Sequence, residues 1–244
     1  MCNIDGLAQV ERNPLNDRLK DDQIKIQSIV RANAWLKEFG GVVIAAKDGE
    51  VFYKHTAGYA NFNYKVHNAL LTQYNTCHIT ESITATAVMQ LFEKNKIDLN
   101  ISIKEYVPQL PENMQAITVH QLLTHSSGLF DYGDTEEFMT NFLEITKIEY
   151  LLSLVFEKNL LFEPGSEVRY SQTNYVMLAY IIEKVTQKKY EDYITEKILI
   201  PAGMGHAAMH NWQDTIMHKA IGYQFDVNGN PKVSANFKGA FPYG

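Results

Sequence analysis

The sequence predicts an α/β (α+β) fold in which an antiparallel sheet accompanies a large helical lobe. Two strand-like runs follow a first helical stretch, helical segments then fill the middle of the chain, and strand-like residues return near its end. Strands and helices that are segregated along a chain in this way favour a sheet with helices packed on it. Apolar residues make up 45% of the 244 residues and charged residues 20%, as is typical of a folded globular protein.

The first element is a predicted surface helix over residues 16–39. Leu19, Ile26, Ile29 and Leu36 recur there at the three- and seven-residue spacings of one helix face. Residues 1–15, which precede this helix, are mostly polar, so we expect them to form a flexible N-terminus.

A β-hairpin is predicted next, because Asp48 and Gly49 form a two-residue turn signal between two strand-like runs. The first run, residues 42–46, is apolar at every position instead of alternating between apolar and polar residues. A strand of this kind has both faces covered, so we expect it to lie in the interior of the sheet.

Helical periodicity dominates from residue 79 onward. A stripe formed by Ile79, Ile83, Val88 and Leu91, with small residues between them, predicts a central buried helix. Further helices are predicted over residues 118–125, 138–156, 175–187 and 190–200. A last hairpin is predicted around Asn228 and Gly229, which form a second turn signal.

Composition and charge exclude several classes of partner. The net charge of -6 comes from interspersed acids and bases, and the sequence has no basic stripe interleaved with aromatic residues, so no nucleic-acid partner is expected. No apolar run reaches the length of a transmembrane segment, and the polar start of the chain lacks the pattern of a signal peptide. The compartment stays open: the cytoplasm, or the cell envelope if Cys2 were the first residue of a processed lipoprotein.

Four segments of the chain occur in an order that carries a family resemblance. They are "GVVIAAKDGEVFYKHTAGYAN", "AVMQLFEKNKIDLNISIKEYVPQLP", "ITVHQLLTHSSGL" and the stretch from "FEPGSEVRYSQTNYVMLAY" to "PAGM". Together they resemble the serine β-lactamase and penicillin-binding-protein superfamily, especially its class C β-lactamase, esterase and D-aminopeptidase branch. The resemblance implies a β-lactamase/transpeptidase-like fold in which residues 16–244 form a single domain.

The catalytic motifs of that superfamily are altered in this chain. The family's central helix opens with Gly-Ser-x-x-Lys, in which the serine attacks a carbonyl group and the lysine helps to remove the serine proton. An ungapped match puts Cys77 at the glycine, His78 at the serine and Glu81 at the lysine. The second motif, Tyr-x-Asn, falls on Tyr170 and Gln172, so only the tyrosine is retained.

The resemblance therefore implies a domain that has lost acyl-serine hydrolase activity and acts as a binding or vestigial protein, with a small-molecule or peptide ligand in its cleft. The alternative is a hydrolase of ester, amide or peptide substrates with a remodelled nucleophile. Neither a cofactor nor a metal ion is expected, because His78 and Glu81 lack further ligands at a metal-binding spacing.

Cys77 offers one such nucleophile, with His78 as its base and Glu81 as the orienting acid. Against this hypothesis, adjacent residues on a helix point about 100° apart, so Cys77 and His78 do not readily hydrogen-bond. The three-residue spacing instead predicts an ion pair between His78 and Glu81. His125, in "LLTHSSGL", is interpreted as an ordinary residue at the end of a helix.

The superfamily's third motif lies on a strand beyond the helical lobe, and no segment of this chain matches it. The resemblance implies that the chain lacks the family's C-terminal strands and final helix, so that the antiparallel sheet is incomplete and residues 42–46 lie at its open edge. An open apolar edge favours pairing with another strand. We therefore expect self-association there, or binding of a complementing segment.

Overall fold

The computed structural model of the protein describes residues 19–35, 39–141, 147–209 and 216–233. These residues divide into two compact units, residues 19–75 with 216–233 and residues 76–209. The N-terminus predicted to be flexible, residues 1–15, lies outside the described residues. The single domain expected over residues 16–244 stays a prediction.

The first unit begins with a helix that packs on a hairpin. Helix α1 (Lys20–Trp35) contacts strand β2 (Glu50–Ala57), which pairs antiparallel with strand β1 (Gly41–Lys47). Asp48 (φ 53°) and Gly49 (φ 82°) both have the positive φ of a tight hairpin turn. The predicted hairpin is confirmed, and the predicted first helix is confirmed over the residues of α1.

Strand β1 is not covered on both faces. Ile44 is 56% exposed, and Ala46 is exposed as well. Within the described residues β1 pairs with β2 alone, so its second edge has no hydrogen-bonded strand there. The prediction of an interior strand is therefore wrong for the described part of the chain. An apolar run indicates that burial of the strand is favourable, but it does not determine which elements lie beside the strand.

Two short antiparallel pairs complete the first unit. They are β3 (Tyr59–Asn61) with β4 (Val66–His67), and β5 (Tyr223–Phe225) with β6 (Pro231–Val233). The Phe62 ring lies edge-on to the rings of Tyr223 and Phe225, at 5.0 and 5.5 Å. Gly229 has a φ of 77° in the turn between β5 and β6, which confirms the hairpin predicted there.

The second unit is helical. Its helices are α2 (Ile79–Glu93), α3 (Val119–Leu123), α4 (Glu136–Asn141), α5 (Ile148–Phe156), α6 (Gln172–Thr186) and α7 (Tyr190–Ile194), and α7 continues as a π-helical turn over Thr195–Leu199. Short 3-10 turns lie at Ile103–Glu105, Glu112–Met114 and Tyr132–Asp134. Within the described residues, the helices are too short or too polar to cross a bilayer.

Local signals account for most of these helix boundaries. The hydroxyl of Thr118 accepts the Gln121 backbone N–H, and the Gln121 side chain accepts the Thr118 N–H, so a capping box starts α3. Gln187 ends α6 in the left-handed conformation, at φ 56°. The single helix predicted over residues 138–156 is divided between α4 and α5, with residues 142–146 outside the described residues.

Helix α6 occupies the centre of the core, and every residue from Thr173 to Ile182 is buried. It is surrounded by α2, α3, α5 and α7. Helix α2 buries one face only, formed by Thr80, Thr84, Ala87, Val88 and Leu91. Ile79, predicted to belong to the buried stripe, is 67% exposed. Periodicity identified a helix at α2, but α6 is the central one because it has neighbours on all sides.

Candidate active site

The start of α2 carries three of the predicted site residues. His78 is the residue at the N-terminal cap of the helix, and Glu81 lies in its first turn. A helix N-terminus carries partial positive charge, so this position stabilises the Glu81 carboxylate. Cys77 directly precedes His78, is exposed, and has a φ of 46°, a backbone conformation that favours glycine.

Tyr170 links His78 to Glu81. Its hydroxyl lies 2.7 Å from His78 Nδ1 and donates to Glu81 Oε1 at 2.9 Å. The Tyr170 and His78 rings are nearly perpendicular, with centroids 5.4 Å apart. Instead of the predicted ion pair, the structure shows His78 and Glu81 joined by the Tyr170 hydroxyl, which hydrogen-bonds to both. Helical spacing brought the two side chains to one end of α2 but gave no indication that Tyr170, from the distant segment before α6, would lie between them.

His125 is a site residue that the sequence interpretation missed. It follows α3 with a φ of 52°, as expected of a residue just after a helix end. Its Nε2 also lies 3.6 Å from Glu81 Oε2, and its ring centroid is 4.7 Å from that of Tyr170. The available signal was the position of His125 in a segment that resembles the family, but its contact with Glu81 spans two helices and is not visible in local spacing.

Gln172, at the start of α6, does not join the Tyr170 cluster through its side chain. Its Oε1 accepts the Tyr132 hydroxyl at 3.2 Å. Its backbone N–H donates to Asp131 Oδ2 at 2.9 Å, while Asp131 Oδ1 accepts the Gly133 N–H at 2.8 Å. Asp131 therefore links the start of α6 to the 3-10 turn Tyr132–Asp134, and the Gln172 amide contacts Tyr132.

The electrostatic environment keeps the Tyr170 phenol protonated. Partial burial raises the pKa of Tyr170 strongly, and its hydrogen bond to Glu81 and the negative charges of Glu81 and Asp131 raise it further. Burial likewise raises the pKa of Asp131, against the lowering effect of its two backbone hydrogen bonds. Tyr170 consequently acts as a hydrogen-bond donor in this site and not as a phenolate base.

The cysteine nucleophile stays a hypothesis. Nδ1 of His78 is engaged with Tyr170, so this nitrogen does not serve as the base for Cys77 in the observed arrangement. Among the residues that the structure describes, the His, Cys, Asp and Glu side chains form no group of three with the geometry of a metal site.

Comparison with known protein families identifies the family of this chain. The model of the β-lactamase family matches residues 27–241. The chain belongs to the β-lactamase family.

Relatives within this family are substantially longer than the chain. A penicillin-binding protein of Bacillus subtilis (strain 168) is 32% identical over 203 residues, which cover 80% of this chain and 44% of the relative. Protein flp of Staphylococcus aureus (strain N315) is 29% identical over 219 residues, covering 88% of this chain and 43% of the relative. The chain thus spans a little under half the length of these relatives.

Solved structures of the family share the fold. The octameric penicillin-binding protein homologue from Pyrococcus abyssi superimposes with a TM-score of 0.76 at 31% identity, over 91% of this chain and 51% of the homologue. The D-amino acid amidase of Ochrobactrum anthropi, complexed with L-phenylalanine amide, gives 0.74 at 27% identity, over 91% and 63%. The β-lactamase/transpeptidase-like fold predicted from the sequence is confirmed.

Within the β-lactamase family, the match of His78, Glu81, Tyr170 and Gln172 to catalytic positions stays a prediction from motif spacing. The structure brings His78, Glu81 and Tyr170 into one hydrogen-bonded cluster and adds His125 to it. Such a cluster can hold ligand groups by hydrogen bonds, and its histidine can accept a proton.

Proposed function

We propose that this β-lactamase-family domain has lost acyl-serine chemistry. The cleft that the family resemblance implies at the start of α2 then binds a small-molecule or peptide ligand without a covalent intermediate. The observation that carries this proposal is the bridge from His78 through the Tyr170 hydroxyl to Glu81. Imidazole and carboxylate groups fill the positions that match the family's serine and lysine.

Acyl-serine catalysis requires a hydroxyl nucleophile and a group that removes its proton. His78 offers no hydroxyl, and the nearest hydroxyl, that of Tyr170, already donates to Glu81. The raised pKa of Tyr170 makes its phenol a weak nucleophile as well. The cluster therefore favours non-covalent recognition over acyl transfer.

Relatives support a ligand derived from peptides or amino acids. One solved structure of the family is a D-amino acid amidase complexed with L-phenylalanine amide, and other relatives are penicillin-binding proteins. Since this chain covers only part of each of these proteins, their substrates enter here as proposals for the cleft.

Covalent labelling tests the proposal directly. The protein is incubated with a fluorescent penicillin and with a fluorophosphonate, and intact mass is measured. We expect no adduct on wild type. The double variant His78→Ser with Glu81→Lys restores the family's hydroxyl and amine and serves as the matched comparison. An adduct on wild type at any residue of the cleft would refute the proposal.

One observation favours a second function, a hydrolase with a remodelled catalytic group. His78 is linked to the Glu81 carboxylate through Tyr170, and a histidine held in this way can act as a general base toward water. Hydrolysis of p-nitrophenyl acetate is compared between wild type, His78→Ala and His206→Ala, since His206 is an exposed histidine outside the cluster. A rate that depends on His78 and not on His206 supports this function, and equal rates exclude it.

A further inference from the structure

We infer that the ligand of this cleft presents a hydrogen-bond donor, an ammonium group above all, to Nε2 of His78 and to the Glu81 carboxylate. The inference rests on the proposed function, because it specifies the ligand of the same site. It follows from where the hydrogen bonds of the site place the ring protons of His125 and His78.

Hydrogen bonds at the buried side of the site fix the orientation of the Asn174 side-chain amide. The Leu129 N–H donates to Ser127 Oγ at 3.1 Å, and the Ser127 hydroxyl donates to Asn174 Oδ1. Asn174 Nδ2 donates to the carbonyl oxygen of Ser171 at 3.1 Å. Asn174 is only 1% exposed, so no alternative water partners compete. The amide oxygen therefore faces Ser127 and the amide nitrogen faces His125.

This orientation determines where His125 carries its proton. Asn174 Nδ2 lies 3.1 Å from His125 Nδ1, and the Ser171 backbone N–H is directed at the same nitrogen at 3.4 Å. Two donors require an acceptor, so Nδ1 is unprotonated and the ring proton is on Nε2. The Nε2–H group faces Glu81 Oε2, and a ring with its lone pair on Nδ1 brings no positive charge to Glu81.

Tyr170 determines the proton on His78 in the same way. A carboxylate only accepts, so the Tyr170 proton is directed to Glu81 Oε1. The phenol oxygen must then accept from His78, which places a proton on Nδ1. In the neutral ring this leaves the lone pair of Nε2 as an acceptor on an exposed side chain.

The groups of the His78, Tyr170 and Glu81 cluster that remain for a ligand are acceptors. They are Nε2 of His78 and the remaining lone pairs of Glu81, and the charged groups that act on Tyr170 are the carboxylates of Glu81 and Asp131. A carbonyl substrate needs donors aimed at its oxygen. An ammonium group supplies three donors and a positive charge, which matches what the cleft offers.

A pair of ligands that differ only in the donor tests the inference. Benzylamine and N-benzylacetamide, in which the same amine is capped, are titrated into the wild-type protein at pH 8 and followed by the side-chain ¹⁵N resonances of His78. We expect benzylamine to bind at least about tenfold more tightly and to shift Nε2, since hydrogen bonds to charged groups are stronger than those between neutral groups. Equal or tighter binding of the capped compound, or no shift of His78 with either one, overturns the inference.

A charge-removing variant sharpens the test. Glu81→Gln is expected to weaken benzylamine binding about tenfold and to leave N-benzylacetamide unchanged, while Glu163→Gln, on an exposed glutamate outside the cluster, changes neither. If Glu81→Gln binds benzylamine as tightly as wild type, the inference fails. This failure is distinct from that of the proposed function, which is decided by covalent labelling and does not depend on the amine.

Discussion

The helical unit and the sheet unit of this domain differ in how fully they bury and pair their own groups. In the helical unit, α6 is buried along ten consecutive residues, from Thr173 to Ile182, and Asn174 has partners for both ends of its amide. In the sheet unit, β1 has a single strand partner within the described residues, and Ile44 is more than half exposed. All the site residues belong to the helical unit. A cluster built there lies against a helix that is buried over those ten residues.

The largest expected effect separates a buried position of the helical unit from an exposed position of the sheet unit. Met177, on α6, is fully buried, so Met177→Ala should lower the free energy of unfolding by about 2–5 kcal/mol through lost burial and a residual cavity. Ile44→Ala, on the exposed face of β1, should cost less than about 1 kcal/mol. Urea unfolding followed by far-UV circular dichroism measures both. Equal losses would remove the distinction between the two units.

Asn174 tests whether the buried hydrogen bonds, and not apolar packing alone, hold the inner end of the site. Asn174→Leu leaves the Ser127 hydroxyl and His125 Nδ1 without their amide partner, so we expect a loss of about 2 kcal/mol in the free energy of unfolding. Asn159→Ala, at an exposed asparagine, is the control and should change the value by less than about 0.5 kcal/mol. A neutral Asn174→Leu would show that the network contributes little.

Much of this architecture could be predicted, because its signals are local. Asp48–Gly49 and Asn228–Gly229 identified two hairpins, since only a few dipeptides accept the positive φ of such turns. Periodicity located α2, because one face of this helix repeats along a short stretch. Most of α6 was located as a helical segment bounded by Pro and Gly clusters.

Long-range contacts account for what could not be predicted. His125 meets Glu81 across 44 residues, and Tyr170 meets His78 across 92, so local spacing indicated neither contact. Family motifs brought His78, Glu81 and Tyr170 together as candidates, but the proton position on the neighbouring His125 depends on Asn174 and Ser127, which no motif marked. The exposure of Ile44 was likewise not indicated by the local apolar pattern of β1.

Tyr170 tests the outer, exposed end of the site, where the expected effect on stability is smaller. Tyr170→Phe removes the hydroxyl that joins His78 to Glu81, and we expect a loss of about 0.5–1 kcal/mol because water can replace the hydroxyl at an exposed position. Tyr132→Phe provides the contrast, since the Tyr132 phenol is buried against Gln172. Thermal unfolding measures both variants. A loss above about 2 kcal/mol for Tyr170→Phe would show that the outer end is as structural as the inner one.

The smallest expected effect concerns the edge of β1. An exposed apolar edge is a template for pairing with another strand, so we predict weak, concentration-dependent self-association of the protein. Sedimentation velocity over a wide concentration range measures it, and Ile44→Lys should reduce it because a charge on an edge strand opposes pairing. A stable monomer at all concentrations, with slow amide exchange across residues 42–46, would show that the sheet is closed within the chain.

The direction of the hydrogen bonds through the site is most directly tested by the protonation of its two histidines. Side-chain ¹⁵N spectra at pH 8 distinguish a protonated from an unprotonated ring nitrogen. The account predicts that His125 carries its proton on Nε2 and His78 on Nδ1, because Asn174 donates to one ring and Tyr170 accepts from the other. The opposite tautomer at either histidine would contradict it.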